Sequence, residues 1–403
     1  MKRYKLKELN TGFEVEKLKP IFNKKQKSVI IIVSVLVAVF LFVFLLSKFG
    51  LFSFEAVSVR ISDGIFGSGK NFPVQVESEN LDTIKVFDSG FLLLTDRCVT
   101  VYSEDGNEKY TYNHTYSNPG VVVNGDRAVV FDRDGKGFVL LTDEKDVYSG
   151  EADGNILTAF FSENGDYALS CKGKKCTSEF TVYSSNHKIK FKWECAYENI
   201  TSIALSDNGN LAGVALLGSE NGEYYSGIQY FGYSYSEPLN SAVIKGVAPF
   251  EIAFTNNNTL TLFTDNGIYK LSQNSSDVEI IKEYYNTEFN SFSRLPSGAY
   301  ILSLAKYGST NLFNISLFSA NGKLKKELSL DKEVISVSAS EKYIFVLAEK
   351  EIMVYNHSCR EVGHIDTEGK IYGIYPTDRF VFVNSLNSLR RTFSYGKSTL
   401  EIS

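Results

Sequence analysis

The sequence predicts an all-β body, an eight-bladed β-propeller, preceded by one N-terminal transmembrane helix. Three observations support this prediction. One long apolar run interrupts the N-terminal region, strand-length apolar segments recur through the rest of the chain, and Asn-Gly or Asp-Gly pairs separate many of those segments. Such pairs supply the positive φ angles that tight β-hairpins require. Their first residues are Asp63, Asp105, Asn124, Asp134, Asp153, Asn164, Asn208, Asn221, Asn266 and Asn321.

The apolar run covers residues 29–46, and Ser34 is its one polar member. With its flanking serines it reaches a length at which a helix spans about 30 Å, the thickness of one bilayer core. It is longer than the apolar part of a signal peptide, and no small-residue cleavage motif follows it. We therefore expect an uncleaved transmembrane helix at residues 28–48.

Lysines determine the predicted orientation of this helix. Few basic residues follow it closely, whereas five precede it: Lys17, Lys19, Lys24, Lys25 and Lys27. The positive-inside rule therefore predicts a single-pass protein of the cell membrane, with residues 1–27 as a short basic cytoplasmic tail. Residues 49–71 are then a linker, and residues 72–403 form an extracytoplasmic body.

Two short phrases recur along this body. One ends the third strand of a predicted unit, as in Val101-Tyr102-Ser103-Glu104-Asp105-Gly106, and the other marks the turn after a first strand, as in Phe161-Ser162-Glu163-Asn164-Gly165. Repeats of about 40–50 residues with four strands each are typical of propeller blades. The phrases define seven full units, at residues 82–115, 117–153, 155–196, 199–246, 248–285, 287–331 and 333–367.

The remaining segment, residues 370–396, holds only three predicted strands, and a ring cannot close on a three-stranded blade. We expect residues 72–77 to supply the missing outermost strand. Pro73 supports this assignment, because proline cannot donate to a sheet ladder and is confined to strand starts and edges. The ring then has eight blades. Seven blades is the alternative if this strand does not close the ring.

Charge is unevenly distributed along the chain. Residues 1–48 carry ten Lys or Arg and three Glu, so the net charge of −5 leaves −12 on residues 49–403. A body of this charge repels nucleic acid and anionic lipid. We therefore expect neither as a ligand of the body, and contact with the membrane only through the helix.

Nearly the whole chain resembles a known family. The stretch from Thr181-Val182-Tyr183 through Phe191-Lys192-Trp193, followed by Ile203-Ala204-Leu205-Ser206-Asp207-Asn208-Gly209, is similar to an uncharacterised family of clostridial and related Firmicute proteins. Lys70-Asn71-Phe72-Pro73-Val74 resembles the start of the body in that family. The resemblance implies one membrane helix and a propeller-like body, but no activity, because the family is a domain of unknown function. More distantly, the body resembles quinoprotein-type and WD-type propellers.

The residues themselves indicate no catalytic chemistry. The sequence has no Gly-x-Ser-x-Gly, no phosphate-binding loop and no His-Glu-x-x-His. Its four histidines lack companions at zinc-ligand spacing. Quinoprotein dehydrogenases place a tryptophan in each blade, whereas this chain has Trp193 alone. We therefore expect no enzyme activity, no metal and no cofactor.

Two local features each have two interpretations. Cys171 and Cys176 bracket a basic tetrapeptide, and they form either a cross-strand disulfide or two free thiols. Residues 222–238 are rich in tyrosine, and they form either an aromatic platform for a glycan or peptide or a packed hairpin.

The favoured function is a non-enzymatic, membrane-tethered propeller that binds an envelope protein or a wall component. Three longer segments between second and third strands, residues 172–175, 218–223 and 306–311, are the candidate binding loops. Two of these segments carry lysines and are therefore positively charged on an acidic body, which favours an acidic partner. The lysines are Lys172, Lys174, Lys175 and Lys306. The alternative is an enzyme that acts on a cell-wall or extracellular glycan through carboxylates at the ring centre. The predicted innermost strands are mostly apolar, which favours binding.

Overall fold

The computed structural model describes residues 4–9, 12–17, 71–76, 81–256, 258–275, 277–367, 369–394 and 396–400. The chain divides into two compact units, Met1–Ile65 and Phe66–Ser403. The predicted transmembrane helix at residues 28–48 lies outside the described residues. Within the described part of the chain, no helix is both long and apolar enough to cross a membrane.

In the first unit, strands β1 (Tyr4–Leu9) and β2 (Gly12–Lys17) form an antiparallel hairpin. Both strands alternate charged and apolar residues, and the register places Lys5 opposite Glu16. The sequence predicted this segment as a short basic tail, and the hairpin was not predicted.

The second unit is a ring of eight antiparallel sheets, here called blades 1 to 8. A short strand, β3 (Val74–Gln75), precedes the first blade. Blades 1 and 2 contain β4 (Leu81–Phe87), β5 (Gly90–Thr95), β6 (Cys98–Tyr102), β7 (Glu108–Asn113), β8 (Pro119–Asn124), β9 (Arg127–Asp132), β10 (Gly137–Thr142) and β11 (Asp146–Glu151). Blades 3 and 4 contain β12 (Asn155–Phe161), β13 (Tyr167–Lys172), β14 (Ser178–Tyr183), β15 (Ile189–Cys195), β16 (Asn199–Leu205), β17 (Leu211–Glu220), β18 (Glu223–Gly232) and β19 (Asn240–Lys245).

The other four blades follow the same order, from the inner strand outward. Blades 5 and 6 contain β20 (Pro249–Asn256), β21 (Thr259–Thr264), β22 (Gly267–Ser272), β23 (Val278–Glu283), β24 (Thr287–Arg294), β25 (Tyr300–Lys306), β26 (Leu312–Phe318) and β27 (Leu324–Asp331). Blades 7 and 8 contain β28 (Ser336–Ala339), β29 (Tyr343–Leu347), β30 (Glu351–Asn356), β31 (Glu361–Thr367), β32 (Gly373–Pro376), β33 (Phe380–Asn384) and β34 (Ser388–Phe393). The predicted all-β, eight-bladed propeller is confirmed.

The apolar core of the ring consists of eight clusters, and each lies between two neighbouring blades. The eighth cluster joins blade 8 to blade 1, where the rings of Phe382 and Phe91 are 5.0 Å apart. The first strands of these two blades, β32 and β4, also contact each other. Each blade therefore buries both of its faces against a neighbour, and the ring closes on itself.

Blade 8 is built from both ends of the body. Its outermost strand is β3, which pairs antiparallel with β34 so that Val74 lies opposite Leu389. The N–H of Val76 then donates to the carbonyl oxygen of Asn387 at 2.9 Å. The paired strand is shorter than the predicted 72–77. A further strand, β35 (Gly396–Leu400), adds parallel to β31 of blade 7 and was not predicted.

A buried arginine reinforces this closure. The Arg391 side chain is 3% exposed, and its Nη1 donates to the carbonyl oxygen of Glu104 at 2.6 Å and to Oδ1 of Asp105 at 2.9 Å. Its guanidinium lies 4.0 Å from the ring centre of Phe380 and 5.4 Å from that of Phe72. Arg391 thus links the third strand of blade 8, the closing segment and a turn of blade 1.

The first repeated phrase corresponds to one turn structure, found in four blades between the third and fourth strands. In each turn a Ser or Asn N–H donates to the carbonyl four residues later, and the residue three positions on has a positive φ. The aromatic residue before the turn sits at a β-bulge in every case. The phrase therefore repeats because bulge and turn need these residue types. The positive-φ residues are Gly106, His187, Gly322 and Cys359.

Removal of the closing strand should destabilise the ring. A chain that begins at Leu81 loses the buried side chains of Val74 and Val76, which contribute about 3 to 6 kcal/mol together. It also exposes the backbone edge of β34. We expect it to melt clearly below a matched chain that begins at Ser68, as measured by circular dichroism. Equal melting temperatures would contradict the closure.

Substitution of Arg391 tests the arginine link separately. Arg391→Leu keeps an apolar side chain between the rings but removes a charge-assisted hydrogen bond and a cation–π contact, so we expect a loss of about 2 kcal/mol in urea unfolding. Arg379→Leu is the matched control, because Arg379 also approaches Glu104 but is 64% exposed. An equal effect of the two substitutions would show that the buried link adds nothing.

Candidate functional site

Consecutive strands of each blade run in opposite directions, so successive turns along the chain lie alternately on the two faces of the ring. The turns between first and second strands and between third and fourth strands lie on one face, here called the acidic face. The turns between second and third strands, and the connections from one blade to the next, lie on the other, here called the aromatic face. All three predicted binding segments follow a second strand, so they share the aromatic face.

The two faces differ in charge. In the described turns of the acidic face, thirteen carboxylates accompany six Lys or Arg side chains. In those of the aromatic face, seven carboxylates accompany eight Lys or Arg side chains. Summed charge creates a potential over a surface. The acidic face therefore repels anions, whereas the aromatic face does not.

Exposed large apolar side chains show the opposite distribution. Among the described side chains, one of them, Tyr235, lies in a turn of the acidic face, whereas six lie in turns of the aromatic face. The six are Tyr197, Tyr285, Tyr307, Ile335, Tyr372 and Leu386. The starts of strands do not differ in this way: four such side chains lie near the starts of strands that begin at the aromatic face, Tyr224, Phe250, Phe289 and Leu312, and five lie near the starts of outermost strands that begin at the acidic face, Val147, Tyr148, Ile189, Ile280 and Leu324. Exposed apolar groups that gather on one surface mark an interaction site.

The four predicted lysines are exposed and lie at two places on the aromatic face. Lys172 ends β13, and Lys174 and Lys175 lie in the turn that follows it in blade 3. Lys306 ends β25 in blade 6, where the turn of residues 307–311 begins with Tyr307. The structure therefore brings Lys306 next to an exposed aromatic ring and separates it from the other three lysines.

The predicted loop at residues 218–223 is not a loop. Strands β17 and β18 extend to Glu220 and from Glu223, which lie opposite each other, and only Asn221 and Gly222 form the turn. Their φ angles are 53° and 85°, as a two-residue hairpin turn requires. The extra residues of blade 4 therefore lengthen strands β17 and β18, and the prediction of a binding loop at residues 218–223 is wrong.

The cysteines of blade 3 carry free thiols. In the ladder of β13 and β14, Cys171 lies opposite Glu179, whereas Cys176 lies in the turn that connects these two strands. The symmetric hairpin that would place the two cysteines face to face is therefore absent. Burial and the neighbouring Glu179 carboxylate raise the pKa of Cys171 to about 12. Its thiol is thus a poor nucleophile in the folded protein.

The tyrosine-rich segment 222–238 is a packed hairpin rather than a platform. Tyr230 and Phe231 are buried in cores between blades, and Tyr233 stacks on Phe191 with ring centres 5.3 Å apart. Of the aromatic residues in this segment, only Tyr224 and Tyr235 are well exposed, and they lie on opposite faces of the ring. Most exposed aromatic side chains of the aromatic face lie outside this segment, at positions that the sequence pattern did not group together.

Sequence reasoning also missed a charged pair on the inner strands. Oε1 of Glu251 on β20 lies 3.6 Å from Nη1 of Arg294 on β24 and links blades 5 and 6. Burial raises the pKa of Glu251, and the arginine opposes that shift. Glycosidases use two carboxyl groups that flank one bond, whereas Glu251 faces a cation. Among the described residues, no three His, Cys, Asp or Glu side chains form a group that could hold a metal ion.

The architecture defines a β-propeller protein with one acidic and one aromatic face. The chain belongs to a family of unknown function, DUF5711, which matches residues 70–389. No curated protein matches its sequence.

Solved structures share the fold. The C-terminal WD40 domain of Sif2 has a TM-score of 0.55 at 9% identity and covers 82% of this chain and 99% of its own. A eukaryotic initiation factor has a TM-score of 0.54 at 11% identity, with 84% of this chain and 90% of its own covered. BamB from Moraxella catarrhalis has a TM-score of 0.48 at 16% identity and covers 80% of this chain and 100% of its own. At these identities the likeness concerns the fold alone.

The thiols should differ in reactivity in the folded protein. We expect alkylation by iodoacetamide at pH 8 to modify Cys176, which lies in an open turn, and to spare Cys171, because its raised pKa leaves almost no thiolate below about pH 10. Mass mapping of the peptides measures this, and the unfolded protein, where both should react, is the control. A 171–176 disulfide in the untreated protein would contradict the register.

Proposed function

We propose that this protein is a non-enzymatic binding or scaffold module, tethered to the cell membrane by its predicted helix, with its propeller outside the cytoplasm. The aromatic face is the surface that receives the partner. Propellers present variable turns on a rigid ring, and binding residues concentrate in such turns.

The observation that carries this proposal is the separation of surface chemistry between the two faces. Six exposed large apolar side chains occupy turns of the aromatic face, against one on the acidic face. Aromatic enrichment and low net charge are the features of the centre of an interface. On the inner strands, Glu251 and Arg294 form an ion pair that links blades 5 and 6.

The described part of the ring begins at its acidic face. Strand β3 starts there, and Nδ2 of Asn71 donates to Oδ1 of Asn107 at 2.7 Å. We propose that the predicted tether joins the ring from that side.

The lysines of the aromatic face supply an electrostatic component. Lys172, Lys174 and Lys175 form a basic tip on blade 3, and Lys306 is a second basic position on blade 6. An anionic wall polymer or an acidic protein surface is drawn to such positions, and salt screens the attraction over about 8 Å at physiological ionic strength. We therefore propose an acidic partner from the envelope.

The test compares two charge-matched variants of the full-length protein in detergent. One replaces Lys172, Lys174, Lys175 and Lys306 with Ser, and the other replaces four basic residues of the acidic face with Ser: Lys145, Lys188, Lys323 and Arg360. We expect the first variant to capture less envelope material than the wild type at low salt, with a smaller difference at moderate salt, because exposed charges are screened. The second variant should behave like the wild type.

Quantitative mass spectrometry and sugar analysis of the captured fraction measure both variants. Equal losses from the two variants would show that net charge, and not the aromatic face, determines capture. Hydrolysis of wall glycan by the purified protein would contradict the non-enzymatic assignment.

A further inference from the structure

Six aromatic side chains follow one another along the aromatic face from blade 3 to blade 6. We call them the aromatic arc; they are Tyr197, Tyr224, Phe250, Tyr285, Phe289 and Tyr307. Each lies in a turn or near the start of a strand at that face. Lys175 precedes the arc in blade 3, and Lys306 accompanies its last member in blade 6.

Two contacts support the blade 5 and blade 6 end of the arc. The rings of Phe250 and Phe289 pack against each other with centres 5.0 Å apart. The backbone N–H of Tyr307 donates to the carbonyl of Asn286 at 3.1 Å, which joins the two turns that carry the exposed tyrosines Tyr285 and Tyr307. The relative position of these two turns is therefore fixed before a ligand binds, and this lowers the entropy cost of binding.

Three turns near the blade 5 and blade 6 end of the arc contain no charged residue, whereas Glu198 follows Tyr197 in the turn at the other end. Residues 284–286 read Tyr-Tyr-Asn, residues 307–311 read Tyr-Gly-Ser-Thr-Asn, and residues 246–248 read Gly-Val-Ala. Amide and hydroxyl groups thus alternate with the aromatic rings. Both kinds of group bind without requiring charge on the ligand, since amides and hydroxyls each donate and accept hydrogen bonds.

We propose that the aromatic arc binds a glycan strand, whose sugar rings stack on Tyr285 and Tyr307. Sugar rings present C–H groups on their faces, which pack on the electron-rich face of an aromatic ring, and hydroxyl groups at their edges, which match amides and hydroxyls. This inference rests on the proposed function and specifies the wall component as a carbohydrate. Acidic groups along such a strand would meet the lysines at the two ends of the arc.

A protein partner fits this surface less well. The centre of a protein interface is a continuous apolar patch with a polar rim. Here the exposed rings of Tyr285 and Tyr307 lie in turns that also contain polar residues such as Asn286 and Ser309. A chain of sugar rings fits such a surface, because the sugar faces pack on the aromatic rings and the sugar hydroxyls bond to the polar groups beside them.

The test uses the full-length protein and uncharged oligosaccharides of defined structure. Chitotetraose, cellotetraose, xylotetraose and maltotetraose are titrated in a detergent without sugar headgroups, and binding is measured by calorimetry. We expect at least one of them to bind the wild type. The double variant Tyr285→Ala with Tyr307→Ala should bind at least about tenfold more weakly, because it removes two stacking surfaces. The double Tyr→Phe variant should retain binding, because it keeps both rings.

Tyr235→Ala is the matched control, since Tyr235 is 60% exposed on the acidic face; it should bind like the wild type. Failure of all four oligosaccharides at millimolar concentration overturns the glycan assignment. If the lysine variants still change capture of envelope material in that case, the proposed function stands, and its partner is an anionic polymer or a protein rather than a glycan bound by stacking. If oligosaccharide binding is lost equally in Tyr235→Ala, the aromatic arc is not the site.

Discussion

The pairing of β3 with β34 is the constraint on which the remainder of the body depends. Each blade buries its two faces against neighbours, so a gap at one position would expose two apolar surfaces and one strand edge. The segment at residues 71–76 closes that position through three different contacts: a ladder with Leu389, the burial of Val74 and Val76, and the stacking of Phe72 under Arg391. Because the segment comes from the start of the body and β34 from its end, the ring closes only when the whole body has folded.

A closed ring gives the protein two faces that can differ freely in chemistry. The turns of either face change without disturbing the cores, which lie between the blades. The acidic face uses its turns partly to hold neighbouring blades together. Nδ2 of Asn124 donates to the carbonyl of Ser162, and Nδ2 of Asn164 donates to that of Asp207, at 2.9 and 3.0 Å. The aromatic face instead exposes apolar rings to water, which is unfavourable. A binding partner that covers these rings would remove this unfavourable exposure.

The sequence was sufficient to predict what depends on local chemistry. Turn residues with positive φ and the bulge before them are encoded within six residues, so the phrase around Ser103 and Ser184 helped to reveal the repeated units. The eighth blade followed from the three-stranded remainder and the strand around Pro73. Pairings between distant segments were harder to predict. Strand β35 and the Glu251–Arg294 pair depend on which blades become neighbours, and no local pattern shows this. The aromatic arc was missed for the same reason, because its rings are far apart in sequence and meet only through the ring topology. The hairpin at Asn221 was mistaken for a loop, because extra length in a unit does not show whether strand or turn has grown.

The central claim is that a closed ring receives its partner on the aromatic face. Hydrogen–deuterium exchange of the full-length protein, with and without solubilised envelope fragments, tests it most directly, since exchange reports each turn separately. The account predicts slower exchange in the turns at residues 173–177, 284–286 and 307–311 when fragments are added. The turns of the acidic face, such as residues 103–107 and 162–166, should be unchanged. Protection confined to the acidic-face turns would contradict the account.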